Sequence, residues 1–278
     1  MTGEQWQAVR AALPEVGGRF ADLVAGVPDA HARSLGEWSI AETASHVGMI
    51  ALVYTAMIRG DGGPLPLPGL AGPIGAASVD TISEMNALAL DLYPERDPAR
   101  LAERLRADIA EVLLVSADLD PDKPVWWLGS ARVPVAGVLA HLVNEMLIHG
   151  LDIARAGRRP WPVPAAHEAL FLELFLFGMV RNDLGRLLDD ATPSPRRIAV
   201  EFRSAYTKPA VLALQHGELR LEEPDGTADV RLRFDPAVLV PMMFGRISKA
   251  RAVLTGGVRI SGPRPWLLPA FLRTVRMP

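Results

Sequence analysis

Four side chains that can bind a metal ion or exchange a proton occur within one stretch of the sequence, Val135–Gly157. They are His141, Glu145, His149 and Asp152, and the intervals of four, four and three residues place them along one face of a helix. Nearly all their neighbours are apolar, which predicts a helix inside a bundle. An unpaired carboxylate in such a place is costly, and a metal ion bound by Glu145 and His149 is the simplest way to offset that cost.

The same four residues also allow a purely structural interpretation. A buried His or Glu is satisfied equally well by a hydrogen bond to a neighbouring helix. Glu145 and His149 are, in addition, only two ligands, and a metal site needs at least a third from another part of the chain. The metal-binding and the structural interpretations both remain open at this point.

A second helix with an inward-facing imidazole is predicted at Ile40–Arg59. Ser39 is a good N-cap residue, and Glu42 three positions later completes the pattern of a capping box. Gly60 is a typical stop signal. His46 lies in the second turn, and the residues that follow it leave this helix little polar surface. We therefore expect His46 on another inner helix.

The composition excludes several kinds of binding partner and active site. The 278 residues carry a formal net charge of −3 without a long basic run, which argues against nucleic acid as a partner. The absence of cysteine excludes a cysteine nucleophile, thiolate-bound zinc, an iron–sulfur cluster and disulfide bonds. A thiol, if one is used, must come from another molecule. The start of the chain lacks the pattern of a signal peptide, so we expect a cytoplasmic protein that does not insert into a membrane.

Further helices are expected to complete an all-helical bundle of four or five long helices. They are Glu4–Val27 (with a break near Pro14), Val79–Tyr93, Pro98–Leu119 and Ala165–Leu188.

Two connections in this part are long enough to have a function of their own. Residues 60–78 are rich in glycine and proline, and they form either a lid or a disordered segment. Asp120–Pro134 is predicted to be a loop, and it contains Trp126 and Trp127. This tryptophan pair either lines a pocket or packs over one end of the bundle.

The periodicity of the sequence changes after the proline-punctuated segment Ala191–Arg197, which predicts two domains, residues 1–190 and 196–278. Apolar residues alternate with polar ones in three stretches, which is typical of half-buried strands. The apolar positions are Ile198, Val200 and Phe202, then Leu219 and Leu221, then Val230, Leu232 and Phe234. The second domain is therefore expected to be a small α+β unit on a mostly antiparallel sheet. Its remaining predicted elements are a helix at Pro236–Phe244, a strand at Val253–Ser261 and a terminal helix at Pro265–Val275.

Two motifs resemble a known family. WSIAETASHV, followed about a hundred residues later by HLVNEMLIHGLDIARAGR, resembles the mycothiol-dependent maleylpyruvate isomerases of the DinB-like superfamily. The resemblance implies a DinB-like four-helix bundle that holds a metal through His46, Glu145 and His149. The later stretch LTGGVRISG, with the helix after it, resembles a sterol-carrier-protein-like domain.

The resemblance implies an enzyme that requires a metal ion and a thiol cosubstrate. The first is a divalent metal, with zinc as the default and iron, nickel or manganese left open. The second is mycothiol, whose thiolate adds to a cis double bond and leaves after rotation to give the trans product; related members are implied to be S-transferases. The substrate would be a small electrophile.

Residues around the implied ligands are expected to have supporting roles. Asp152 either orients a ligand imidazole or caps a helix, and His141 is expected to support the site rather than to be a fourth ligand. Trp126, Trp127 and Arg246 are weak candidates for binding the thiol. Arg246 and Arg259 are candidates for binding anionic groups of substrate or thiol.

Two other functions compete with the thiol-dependent enzyme. One is a lipid-binding or hydrophobic-ligand-binding protein that works through its C-terminal domain. The other is a hydrolase or cyclase that uses metal-bound water without a thiol. The sequence leaves the oligomeric state open.

Overall fold

A computed structural model describes residues 1–60, 64–188 and 195–276. The first two ranges are mainly helical with two small hairpins, and the third contains a five-stranded sheet with short helices. This arrangement confirms the predicted fold class, a helical bundle followed by a small α+β unit. The predicted domain boundary, between residues 190 and 196, falls largely on residues 189–194, which lie outside the described part of the chain.

Four long helices pack against one another and build the bundle: α1 (Gly3–Ala25), α2 (Ile40–Arg59), α5 (Pro98–Val115) and α6 (Val135–Ala156). Sequence signals mark both ends of α2. Ser39 and Glu42 form the expected capping box at α2, and Gly60 ends that helix in the left-handed region at φ 61°.

The central helix α6 is buried along almost its whole length, as its apolar composition predicts. It packs between α1, α2 and the segment that follows it. Helix α2 is long and apolar enough to cross a membrane by length and composition alone. Because 78% of its apolar window is buried inside the protein, these properties are those of a core helix.

Several connections of the bundle contain secondary structure of their own. In the segment 60–78, which was predicted to be a lid or a disordered segment, residues 61–63 lie outside the described part of the chain. The remainder contains a short helix, α3 (Ala71–Ala76), and precedes α4 (Ile82–Leu92). Asp120–Pro134 is not a simple loop, because β3 (Pro124–Trp126) and β4 (Arg132–Pro134) pair as a hairpin. A smaller hairpin of β1 (Arg33–Leu35) and β2 (Trp38–Ser39) leads into α2.

Two predicted helices differ from the observed ones. Helix α1 continues without interruption through Pro14. The predicted helix Ala165–Leu188 consists of α7 (Ala165–Leu170), a π-helical turn (Phe171–Leu176) and α8 (Phe177–Asn182). It ends six residues early, and Gly185, at φ 53°, lies just beyond the end.

The sheet has the strand order β7-β6-β5-β8-β9, and only the central β5–β8 pair among these five strands is parallel. The prediction of a mostly antiparallel sheet is therefore confirmed. The strands are β5 (Ile198–Arg203), β6 (Ala210–Gln215), β7 (Glu218–Glu222), β8 (Val230–Phe234) and β9 (Val258–Ser261).

Three helices accompany the sheet: α9 (Pro236–Met243), α10 (Lys249–Leu254) and α11 (Leu268–Thr274). The predicted strand Val253–Ser261 is wrong in its first half, because the chain is helical up to Leu254 and becomes extended only at Val258. Ser248 caps α10 by accepting a hydrogen bond from the backbone N–H of Arg251, which explains the helix.

The helices and the sheet share one continuous hydrophobic core. Helix α7 packs on α9, and the rings of Phe171 and Phe244 lie 5.9 Å apart across the contact. The rings of Phe177 and Phe202 meet at the same distance. The packing of α7 on α9 brings the turn after α9 against the end of α6, where the candidate site lies.

Candidate metal centre

Three potential metal ligands converge inside the bundle. His46 comes from α2, and Glu145 and His149 come from successive turns of α6. Nε2 of His149 lies 3.3 Å from Oε2 of Glu145, and Nε2 of His46 lies 3.6 Å from the same oxygen. One ligand atom from each side chain can be chosen so that all lie within 4.8 Å of one another, and all three side chains are buried.

The spacing of these atoms fits a divalent ion. Two atoms that each lie about 2.1 Å from a tetrahedral zinc ion are about 3.4 Å apart. The two nitrogen–oxygen contacts at Glu145 are close to this separation. They are longer than a normal hydrogen bond, which spans about 2.7–3.2 Å. Two nitrogens and one carboxylate suit zinc and leave coordination positions open, as in catalytic sites.

The charge state of Glu145 suits a ligand. Burial alone would raise the pKa of its carboxyl group. The opposing effects of His141, His149 and His46 are larger in sum, and they hold the pKa of Glu145 well below its usual range. Glu145 is therefore ionised at neutral pH. For His46 the balance is reversed, because burial lowers the pKa of its imidazole and keeps the ring neutral, the form that binds metals.

The ring of His149 contacts the carboxylate of Asp152, which in turn binds the guanidinium of Arg246. Its Nδ1 lies 3.2 Å from Oδ2 of Asp152. Arg246, from the turn after α9, donates to both oxygens of Asp152 at 3.0 and 2.6 Å. Burial lowers the pKa of His149, but Asp152 and Glu145 outweigh burial and raise it. A ligand imidazole held by a carboxylate has a fixed tautomer and a fixed ring orientation.

His141 is positioned by a different chain of hydrogen bonds. Nε1–H of Trp127 donates to the hydroxyl oxygen of Tyr54 at 2.7 Å, and this hydroxyl lies 2.9 Å from Nδ1 of His141. Because tryptophan can only donate, the tyrosine proton is free to point at His141. Nε2 of His141 then carries a proton and lies 3.4 Å from Oε1 of Glu145. Burial lowers the pKa of His141 to about 4, so the ring is neutral.

A cavity of about 260 Å³ opens onto the three candidate ligands. Trp127 lines it, and so does Arg246. Trp126, the other predicted thiol-binding residue, does not line the cavity. It is 55% exposed, and the guanidinium of Arg132 lies over its ring. Arg259 is also elsewhere, in an open depression on the sheet that it shares with Arg203 and Arg233.

Several residues of this site were not predicted from the sequence. Tyr54 was visible only as part of an apolar helix, although its interval of eight residues from His46 already places both on one face. Phe244 lines the cavity from the sheet side. Leu70, Ile74, Ile82 and Met85 cover the cavity from α3, α4 and the residue before α3. No local signal connects these four residues to the ligands, because the fold alone brings them together.

The solved structures that resemble this one include a mycothiol-dependent maleylpyruvate isomerase. It is 15% identical, with a TM-score of 0.51, and the match covers 94% of this chain and 93% of that chain. A histidine-to-alanine mutant of a mycothiol-dependent maleylpyruvate isomerase matches at 14% identity and a TM-score of 0.50, covering 91% of each chain. At these identities the likeness establishes the fold alone.

Comparison of sequences extends this result. No curated protein sequence matches the chain. The profile described as "SCP-2 sterol transfer family" matches residues 195–265, which hold the sheet. The profile described as "Mycothiol maleylpyruvate isomerase N-terminal domain" matches residues 9–154, more than half of the chain and the part that carries His46, Glu145 and His149. The chain therefore belongs to the mycothiol maleylpyruvate isomerase N-terminal domain family.

Proposed function

We propose that this protein is a metal-dependent enzyme that uses mycothiol to isomerise a small electrophile or to transfer the thiol to it. The observation that carries the proposal is the convergence of His46, Glu145 and His149 at the wall of a cavity. Membership of the family supports the choice of mycothiol and of an isomerase. The absence of cysteine is consistent with a thiol supplied from outside.

The metal would be held by the two imidazoles and the carboxylate. A divalent ion, with zinc as the best match to these ligands, lowers the pKa of a bound thiol so that the reactive thiolate persists at neutral pH. Both candidate ligands from α6 are supported by a second side chain, Glu145 by His141 and His149 by Asp152. These contacts keep the ligand atoms facing the cavity.

The protein surroundings favour thiolate chemistry in two ways. Trp127, Tyr54 and Phe175 line the cavity beside His141 with mainly apolar surface, and a low-polarity wall strengthens electrostatic interactions next to it. Arg246 neutralises Asp152, so that Glu145 is the one carboxylate among the described cavity-lining residues that faces the thiol. The thiolate sulfur adds to the double bond, the adduct rotates about the new single bond, and elimination of the thiolate gives the isomer.

Metal content and mycothiol binding test this proposal together. We expect about one metal per chain in the wild-type protein and a loss of both metal and mycothiol binding in His46→Ala. Arg259→Ala is a suitable control, because this residue lies outside the cavity and should leave both quantities unchanged. A metal-free protein, isolated without chelator, that still turned over an electrophile with mycothiol would refute the metal site. Metal with thiol-independent turnover would favour the hydrolase or cyclase.

A further inference from the structure

We propose that the electrophile is a neutral, mainly hydrocarbon molecule with a double bond conjugated to a carbonyl group, and not a dicarboxylate. This inference rests on the proposed function and specifies the substrate class of the same site. It follows from the shape of the cavity, from its apolar walls and from the charges that line it.

The cavity follows one face of α2 away from the candidate ligands. His46, Ile50, Val53 and Met57 line it at helical intervals of three or four residues. The eleven residue-to-residue steps from His46 to Met57 correspond to about 16 Å along the helix axis. All the residues of this face beyond His46 are apolar except Tyr54, whose hydroxyl group is committed to Trp127 and His141. The site therefore has a long apolar arm.

The opposite wall of the arm comes from the segment that the sequence presents as a loop. Leu70 and Ile74, with Met85 of α4, pack against Met49 and Val53 in one hydrophobic cluster. Helix α3 in this segment contacts the residues between β3 and β4, where Ser130 donates a hydrogen bond to the carbonyl of Gly75. The arm is therefore covered by packed side chains, and its surface is hydrocarbon on both sides except at Ser83 and Asn86 of α4.

The charges of the cavity disfavour an anionic substrate. Arg246 is the one arginine or lysine among the described residues that line the cavity, and it already makes two hydrogen bonds to Asp152. Ser83 and Asn86, on α4, are polar but neutral. Away from the candidate metal ligands, a substrate carboxylate in the arm would find no free arginine or lysine among the described lining residues. Burial of an unpaired carboxylate is strongly unfavourable. A neutral hydrocarbon group gains from the same burial.

The reaction on such a substrate balances without a further reagent. The thiolate sulfur forms a bond to the β-carbon, and the electron pair of the double bond moves to the carbonyl oxygen as an enolate. For isomerisation, rotation is followed by return of the pair and cleavage of the same carbon–sulfur bond. For transfer, the enolate takes one proton from solvent and the adduct is released.

Three acceptors measure the preference: cinnamaldehyde, its para-carboxy derivative and the short crotonaldehyde, each with the metal-loaded enzyme and saturating mycothiol. We expect kcat/KM for cinnamaldehyde to exceed that for each of the other two by at least about ten-fold, after correction for the uncatalysed rates. Equal or faster turnover of the para-carboxy derivative would overturn the inference.

Two variants of α4 locate the preference in the arm. Ile82 lines the cavity, and Ile82→Trp should fill it and lower kcat/KM for cinnamaldehyde by about ten-fold while changing crotonaldehyde by less than about two-fold. Leu88 lies on the same helix, is 40% exposed and does not line the cavity, so Leu88→Trp should change neither value. An equal loss for both aldehydes in Ile82→Trp would contradict the assigned arm.

A binding measurement separates this inference from the proposed function. Hydrocinnamamide and its para-carboxy derivative cannot react with a thiol, and their binding to the protein can be followed by tryptophan fluorescence. We expect the neutral amide to bind at least about ten-fold more tightly, whether or not metal and mycothiol bind. Loss of the mycothiol reaction with this preference intact would refute the proposed function alone. Tighter binding of the carboxylate would refute the substrate class alone.

Discussion

Glu145 and Glu168 are both buried glutamates of the same helical region, and their surroundings are opposite. Glu145, on α6, lies within 3.6 Å of three imidazoles, and its pKa is held well below the usual range. Glu168, on α7, is fully buried, and neither of its carboxylate oxygens has a hydrogen-bond partner among the described residues. Burial raises the pKa of Glu168 well above the usual value.

The comparison shows that burial of a carboxylate does not by itself indicate chemistry. Both glutamates lose their hydration, but only Glu145 receives compensating groups from two helices. The partners of Glu145 also point into a cavity. The surroundings therefore favour a carboxylate ligand at Glu145 and a neutral carboxyl group at Glu168.

The largest expected effect is the loss of metal from Glu145→Gln. The substitution keeps the shape of the side chain and removes the negative charge that would bind the ion, so we expect metal affinity to fall by more than about 100-fold. Competition with a chromogenic chelator measures this affinity directly.

Glu168→Gln is the matched control, since it makes the same chemical change at the other buried glutamate. Metal affinity should be unchanged in this variant. Equal metal affinity in the Glu145→Gln and wild-type proteins would show that Glu145 is a structural carboxylate, and the difference between the two glutamates would then be one of hydrogen bonding only.

A smaller effect is expected from the residues that hold His149. Asp152→Asn and Arg246→Ala should each lower metal affinity by about 10–100-fold, because the ligand imidazole loses its fixed orientation. As Arg246 acts through Asp152, the double variant should bind metal no more weakly than Asp152→Asn alone. Additive losses in this cycle would mean that Arg246 contacts the bound groups directly.

The positions of the candidate ligands on α6 could be predicted from the sequence because the intervals between them lie within one helix. Intervals of four residues place His141, Glu145 and His149 on one face of any helix, whatever surrounds it. The capping box at Ser39 was equally local, and it fixed the start of the helix that carries His46. The pairing of His46 with α6 came instead from the resemblance to a family.

Relations between distant segments were not predictable in this way. Arg246 follows Asp152 by 94 residues, and the tertiary packing that places α7 on α9 brings them together. Strand β6 was missed because all but its last residue are buried, so that the alternation typical of a half-buried strand is absent. The false strand at residues 253–257 arose because a short capped helix and a strand follow each other with only three residues between them.

The smallest expected effect concerns the stability of the fold at Glu168. In the unfolded chain this carboxyl group ionises near the ordinary glutamate pKa of 4.5, whereas in the folded protein it retains its proton to higher pH. The stability contributed by the raised pKa is complete below about pH 4.5 and is lost as pH rises through the folded pKa. Glu168→Gln has no such titration. At neutral pH the variant should therefore be more stable than the wild type.

Thermal unfolding of the metal-loaded protein measures this effect across pH. The melting temperature of Glu168→Gln should exceed that of the wild type by about 2–6 °C at neutral pH, and the difference should shrink towards pH 4.5. The sign of the change in melting temperature distinguishes the two glutamates. Replacing a carboxylate that is ionised and partnered in the folded state by an amide would destabilise the protein. A lower melting temperature at neutral pH would show that Glu168 is ionised and has a partner in the folded protein, which would make the two glutamates alike.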